Sequence, residues 1–361
     1  MIQLPVLVLH VEKPKLSQFI LPFQYLRGIV AVLVVWFHNL HQLPGLENRF
    51  RIPLGSATLY LFIIFSGFVM VITTDGKKIA PLDFFQRRLI RIAPLYWILT
   101  LLLAAIVLIN PVIFRATVLT PAGLIQSLFF IPHYSASAPA ELWPLLIPGW
   151  TLQFEMFFCV MFGASLMFKQ HIPLLAITLI GGVLAGVVWG PFQNPLLRNY
   201  TNLIILDFVV GIMLGRFWMA GRLGVSWHVA LCLFVVGLGL SIMGRGTPFS
   251  ELTAVVGAAL IASACFNAPA LQWRNAALLA LGSASYSIYL THTFTLRVFR
   301  WVWLNFQPGV PGFTGGLVFM LLAATSCIIV GGVTYRWIET PIGKYLSDYL
   351  RQRGTRRLAM A

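Results

Sequence analysis

Long apolar stretches alternate with short polar connections along this chain. Ten of the stretches approach the length of a membrane span, at residues 23–40, 57–73, 92–109, 150–168, 172–189, 203–219, 227–243, 252–266, 276–294 and 315–335. A hydrocarbon core about 30 Å thick is crossed by about 20 helical residues, each rising about 1.5 Å. The pattern therefore predicts an all-α polytopic membrane protein with about ten transmembrane helices. The longest connection, residues 110–149, carries an apolar piece at 124–131 that is too short to span; it either re-enters the bundle or lies on its surface.

No polar stretch is long enough for a separate globular domain. The chain divides into an N-terminal tail (1–22), one membrane domain (23–341) and a basic C-terminal tail (342–361). The apolar patch at 4–9 has no basic region before it and no cleavage site after it, so no removable signal peptide is expected.

Composition agrees with this reading. The chain is 59% hydrophobic and 10% charged, with a mean hydropathy of +0.86, far from a soluble domain. Its net charge of +15 matters through its distribution, because the basic residues fall between apolar stretches and not in a patch suited to nucleic acid. With the N-terminus inside, 17 of the 25 basic residues lie in inner segments and 7 in outer ones, Arg27 being the other. Such a bias sets orientation, so both termini are predicted to be cytoplasmic. The basic run at 351–357 reads as a solvated tail beside anionic lipid. Cys159, Cys232, Cys265 and Cys327 sit inside apolar stretches without disulfide or metal spacing; they read as packing residues, and no metal site is expected.

The first apolar stretch contains two residues that do not belong in lipid, Arg27 and His38. Eleven residues apart, they differ by only about 20° around a helix and by about 16 Å along it, so they line one face. A charged residue inside a span costs about 2.5 to 3.5 kcal/mol and usually faces a protein interior or a water-filled cavity. Two readings stand: a functional face with a cationic inner end and a titratable outer end, or an Arg27 that snorkels to the headgroups while His38 marks the far boundary.

Further polar residues extend the functional reading. Arg88 and Arg91, on the inner loop entering the third span, are three apart and form a cationic pair suited to phosphate, or else anchor the loop by charge. Glu155 stands just inside the outer start of the fourth span, at the expected depth of His38, where it either orients an imidazole or favours the helix N-terminus. In the ninth span Tyr286, Tyr289 and His292 share a face beside Ser285, as site residues or as packing glue. Asp207 is a further acid within a span, structural or functional. No G-x-S-x-G elbow, P-loop, H-E-x-x-H or Cys/His metal spacing is present.

In order along the chain, Arg27 with His38, the phrase Phe65-Ser66-Gly67-Phe68, Arg88 with Arg91, Trp150 to Glu155, Ser285 to His292, and Glu339-Thr340-Pro341 resemble the motifs of the integral-membrane acyltransferase 3 family. The resemblance covers residues 23–341. It departs at Gly55, Ser56 and Ala57, where many members carry Gly-Val-Asp, so no role of that acid is carried over. The lack of a fused hydrolase-like domain is similar to the exopolysaccharide-modifying branch. The resemblance implies transfer of an acyl group, acetyl by default, from cytosolic acyl-CoA to a hydroxyl of a surface or exported glycan, in a bacterial plasma (inner) membrane. Acyl-CoA is then a co-substrate, with no tightly bound cofactor.

O-acyl transfer needs a base for the hydroxyl proton and a site for the developing oxyanion. With the imidazole pKa of about 6.5, His38 suits the base, assisted or oriented by Glu155 or Tyr286. Arg27, Arg88, Arg91 and Tyr286 are then expected to bind acyl-CoA, with His292, Asp207 and Ser285 in support. Whether His38 acts only as a base or carries the acyl group stays open at this level. The competing class is a multi-span transporter or glycan flippase, which also buries charge.

Overall fold

The computed structural model describes residues 16–50, 55–110, 114, 116–220, 227–243, 256, 274–306 and 312–359. Among them the chain is helical, without a strand: α1 (Leu16–Asn39), α2 (Leu46–Phe50), α3 (Gly55–Thr74), α4 (Pro81–Ile109), α5 (Pro121–Leu128), α6 (Trp150–Ser165), α7 (His171–Trp189), α8 (Pro195–Tyr200), α9 (Ile205–Met219), α10 (Trp227–Met243), α11 (Ala276–Phe306) and α12 (Phe313–Thr334). A π-helical turn (Tyr335–Glu339) joins α12 to α13 (Thr340–Ala359). Every apolar stretch coincides with a helix except 252–266, which apart from Val256 lies outside the described residues. Four helical runs are long and apolar enough to cross a membrane: Pro81–Ile109, His171–Trp189, Pro195–Met219 and Phe313–Gln352.

Two boundaries differ from expectation. Helix α4 begins at Pro81, eleven residues before the apolar stretch, so Arg87, Arg88 and Arg91 are helical and not in a loop. Pro81 sits where a missing N–H costs nothing, and Asp83 places negative charge in the first turn. At the other end, residues 342–359 continue as helix α13 instead of leaving the bundle as a loose tail.

Close helix approach depends on glycine. Helix α1 packs on α11 and α3 on α9. A Cβ at Gly282 would collide with the Gln24 carbonyl, and a Cβ at Gly211 with that of Ile64. Small residues at such crossings let backbones touch where no hydrophobic effect drives helices together. Gly28 meets Gly282, and ten residues further along each helix His38 meets His292, so α1 and α11 run parallel.

Helices α4 and α6 are antiparallel: Phe84 packs on Phe162, while Gly149 lies against Tyr96. Phe158 of α6 stacks on Phe208 of α9, ring centroids 4.0 Å apart and 7° from coplanar. The connection after α4 folds back beside the middle of that helix. There the Tyr96 hydroxyl donates to the Ser127 carbonyl (3.1 Å) and Trp97 Nε1 to that of Leu128 (2.7 Å). Residues 124–131 lie against α4 with Ser127 and Phe130 buried and Ile125 and Phe129 exposed. As a consequence α6 starts level with Tyr96 and not at the end of α4.

Candidate functional site

Five helices converge on one cavity of about 130 Å³, α3 lining it from Phe62 to Val69. Arg27 enters it from α1, Arg88 and Arg91 from α4, Glu155 from α6, and Ser285 and Tyr286 from α11. Each helix brings its residue there by the register of its apolar face. Phe23 and Phe84, one turn before Arg27 and Arg88, lie under the two guanidinium groups at 5.7 and 5.6 Å from ring centroid to Cζ. An arginine held on an aromatic face keeps its donors pointed away from the ring.

Glu155 is set among the arginines, whereas sequence position suggested the depth of His38. The reason is the connection that folds back along α4: α6 begins midway along that helix, so five residues later its carboxylate reaches the level of Arg91. It acts electrostatically on Arg27 and Arg88. A second carboxylate joins from the π-helical turn. Glu339 accepts a hydrogen bond from the Ser287 hydroxyl and acts on Arg27 and Arg91. The Glu339-Thr340-Pro341 phrase carries one sequence signal for this place, an acid closing an apolar span.

The opposite end of the cavity is closed by Tyr289 and Thr151. The Tyr289 hydroxyl donates to the Pro148 carbonyl (2.9 Å) and lies 2.9 Å from Thr151 Oγ1, which ties α11 to the start of α6. Tyr286, one turn earlier, donates to the Ile92 carbonyl. Ser285 lines the cavity, but its hydroxyl donates to Gly282 of its own helix (2.8 Å).

His38 does not line the cavity. It stands behind Tyr289 against His292: the His292 ring centroid lies 5.9 Å from that of Tyr289 and 4.9 Å from that of His38. His292 is fully buried and its Nδ1 contacts the Tyr289 carbonyl, which can only accept, so Nδ1 carries the proton and Nε2 the lone pair. His292 Nε2 and His38 Nδ1 are both buried without a hydrogen-bond partner among the described residues. His38 as a residue is half-buried, although its Nδ1 is not exposed.

Asp207 is apart from this arrangement. It is fully buried on α9, does not line the cavity, and has neither carboxylate oxygen hydrogen-bonded among the described residues. The chemistry available is thus a cationic chamber with Glu155 on its wall and Glu339 beyond Arg91 at one end, and an imidazole pair behind a tyrosine at the other.

Comparison with known proteins agrees on the class. Residues 22–331 match the family model described as an acyltransferase domain. The chain is 35% identical over 301 residues to the exopolysaccharide production protein ExoZ of Rhizobium meliloti (strain 1021), covering 80% of this chain and 90% of that one. It is 24% identical over 332 residues to the acyltransferase MdmB of Streptomyces mycarofaciens, covering 81% and 82% respectively. No solved structure matches.

Proposed function

We propose, from the premise that the chain belongs to the acyltransferase 3 family and is a membrane O-acyltransferase, that it moves an acyl group, acetyl by default, from cytosolic acyl-CoA to a hydroxyl of an exported or surface glycan. The observation that carries the donor half is the convergence of Arg27, Arg88 and Arg91 on one cavity. The similarity to an exopolysaccharide production protein supports the acceptor class. In this reading the chain has about ten spans in a bacterial plasma membrane with both termini cytoplasmic, a topology supported by the bias of basic residues.

The thioester end of the donor enters the arginine cavity from the cytoplasmic side, and its carbonyl lies between the arginines and Tyr289. The acceptor hydroxyl comes from the other side to His38, which takes its proton as the oxygen attacks the carbonyl. The cationic chamber stabilises the oxyanion and then the departing thiolate, in a dry site where charge interactions are strong. His292, with its proton fixed on Nδ1, turns a lone pair toward the interior beside His38 and steadies the imidazolium that forms. Glu155 and Glu339 keep the chamber from carrying three uncompensated cations. The carboxylates thereby hold the arginines in place without a donor bound.

A deletion strain tests the reading. Mass spectrometry of its exported glycan should show the loss of an acyl group, restored by the wild-type chain and not by His38→Ala. A glycan that is made and exported without any change in acylation would remove the glycan acceptor from the account.

A further inference from the structure

The cavity of about 130 Å³ is large enough for a thioester and the tip of its arm, but not for a nucleotide; sites that enclose whole ligands run from about 300 to 1,000 Å³. The rest of the donor must lie outside it. Resting on the acyl-CoA reading above, we infer that the groove between the first turns of α4 and helix α13 is a binding site for the 3′-phospho-ADP portion of the donor.

The groove consists of two depressions of about 400 and 560 Å³, joined through Arg87, Ile90 and Ser347, which line both. Arg91 lines the first depression and also the buried cavity, so one side chain is the wall between them. The arm of the donor passes this arginine. Arg87, Lys344 and Arg351 add positive charge along the groove. A guanidinium fork meets two phosphate oxygens at once, and an ammonium meets phosphate as a point charge. Arg87 and Lys344 are exposed and form no ion pair among the described residues. Asp83 and Asp348 face the outer depression, where carboxylates can accept from ribose hydroxyls or an adenine amino group. The groove exists because the chain does not stop after α12: the π-helical turn carries it on into α13, whose Lys344, Ser347 and Arg351 face α4.

A rival pocket of about 430 Å³ lies between Lys77, Lys78, His171 and Arg216. Two of its cations are already engaged, Arg216 with Asp75 at 3.8 Å and Lys77 with the Thr73 carbonyl at 3.0 Å. It also shares no lining residue with the buried cavity. A donor seated there could not deliver its thioester.

The test uses the full chain in nanodiscs and two donors, acetyl-CoA and S-acetylpantetheine, the latter lacking the nucleotide. Arg87→Ala with Lys344→Ala should weaken acetyl-CoA binding in calorimetry about tenfold or more, as expected for losing hydrogen bonds to charged groups. The same variant should use S-acetylpantetheine with wild-type kcat/KM, and Arg87→Lys should recover part of the loss. Wild-type acetyl-CoA affinity in the double variant overturns the groove while leaving the acyl-CoA reading intact, as does a loss confined to Lys77→Ala with Lys78→Ala. Equal loss with both donors makes the two residues structural and also overturns it. A wild-type chain that binds no CoA thioester removes both the groove and the donor reading.

Discussion

His38 and His292 face each other with ring centroids 4.9 Å apart and planes at 60°, at matching heights on two parallel helices. One ring is tied to a backbone carbonyl through Nδ1, and the buried nitrogens His292 Nε2 and His38 Nδ1 are left without partners among the described residues. An unpaired buried polar atom is costly, so a pair of them marks a place where something else is meant to bond. His292→Phe keeps a ring in the packing and removes the lone pair. Its kcat should fall while the KM for acetyl-CoA stays at the wild-type value, and by less than the roughly 10²-fold expected for losing a general base. A rise in KM with unchanged kcat would place His292 in donor binding.

The arginine pair makes a prediction on binding. Arg88→Ala with Arg91→Ala should weaken acetyl-CoA binding strongly, and lysine at both positions should recover part of the affinity, since Arg91 borders the outer groove and an ammonium there still meets phosphate as a point charge. Arg27→Ala should show a loss in the same titration. Unchanged affinity in the double alanine variant would take the cavity out of donor binding.

Glu339 tests the charge balance of the chamber. Glu339→Gln keeps a partner for the Ser287 hydroxyl while deleting the charge that faces Arg27 and Arg91. Transfer should fall, and thermal unfolding of the detergent-solubilised chain should shift downward, because the nearby cations lose a compensating carboxylate. Ser287→Ala, which removes only the hydrogen bond, should cost less on both measures.

Helix packing gives a separate test. At Gly211 a Cβ meets the Ile64 backbone, whereas at Gly239 no described residue lies within contact. Gly211→Ala should cost about 1–3 kcal/mol, typical of overpacking. Gly239→Ala should leave the unfolding temperature unchanged or raised. Equal responses at the two positions would contradict the close α3–α9 crossing.

Much of the helical layout was legible because a bilayer leaves so few options: an apolar stretch of span length has to be a helix. The shared face of Arg27 and His38 was legible for the same reason, from helical geometry alone: Arg27 lines the cavity that Tyr286 of α11 also lines, and His38 packs on His292 of α11. The depth of Glu155 was not. It depends on how residues 110–149 fold back on Tyr96 and Trp97, a matter of long-range hydrogen bonds that no local pattern announces. Likewise the start of α4 was hidden by its polar first turns, and the place of Glu339 by a helix that keeps going through a π turn. The convergence of residues 27, 155 and 339 is a tertiary fact.

The most direct test of the central claim separates binding from chemistry at His38. In membranes supplied with acetyl-CoA and the exported glycan, His38→Ala should bind acetyl-CoA nearly as well as wild type, yet lose acetyl transfer by roughly 10²-fold or more. His38→Gln, which fills similar space but cannot take the proton, should be nearly as poor. Transfer at the wild-type rate by either variant would contradict the account and return His38 to the boundary role that its place near the end of α1 also allows.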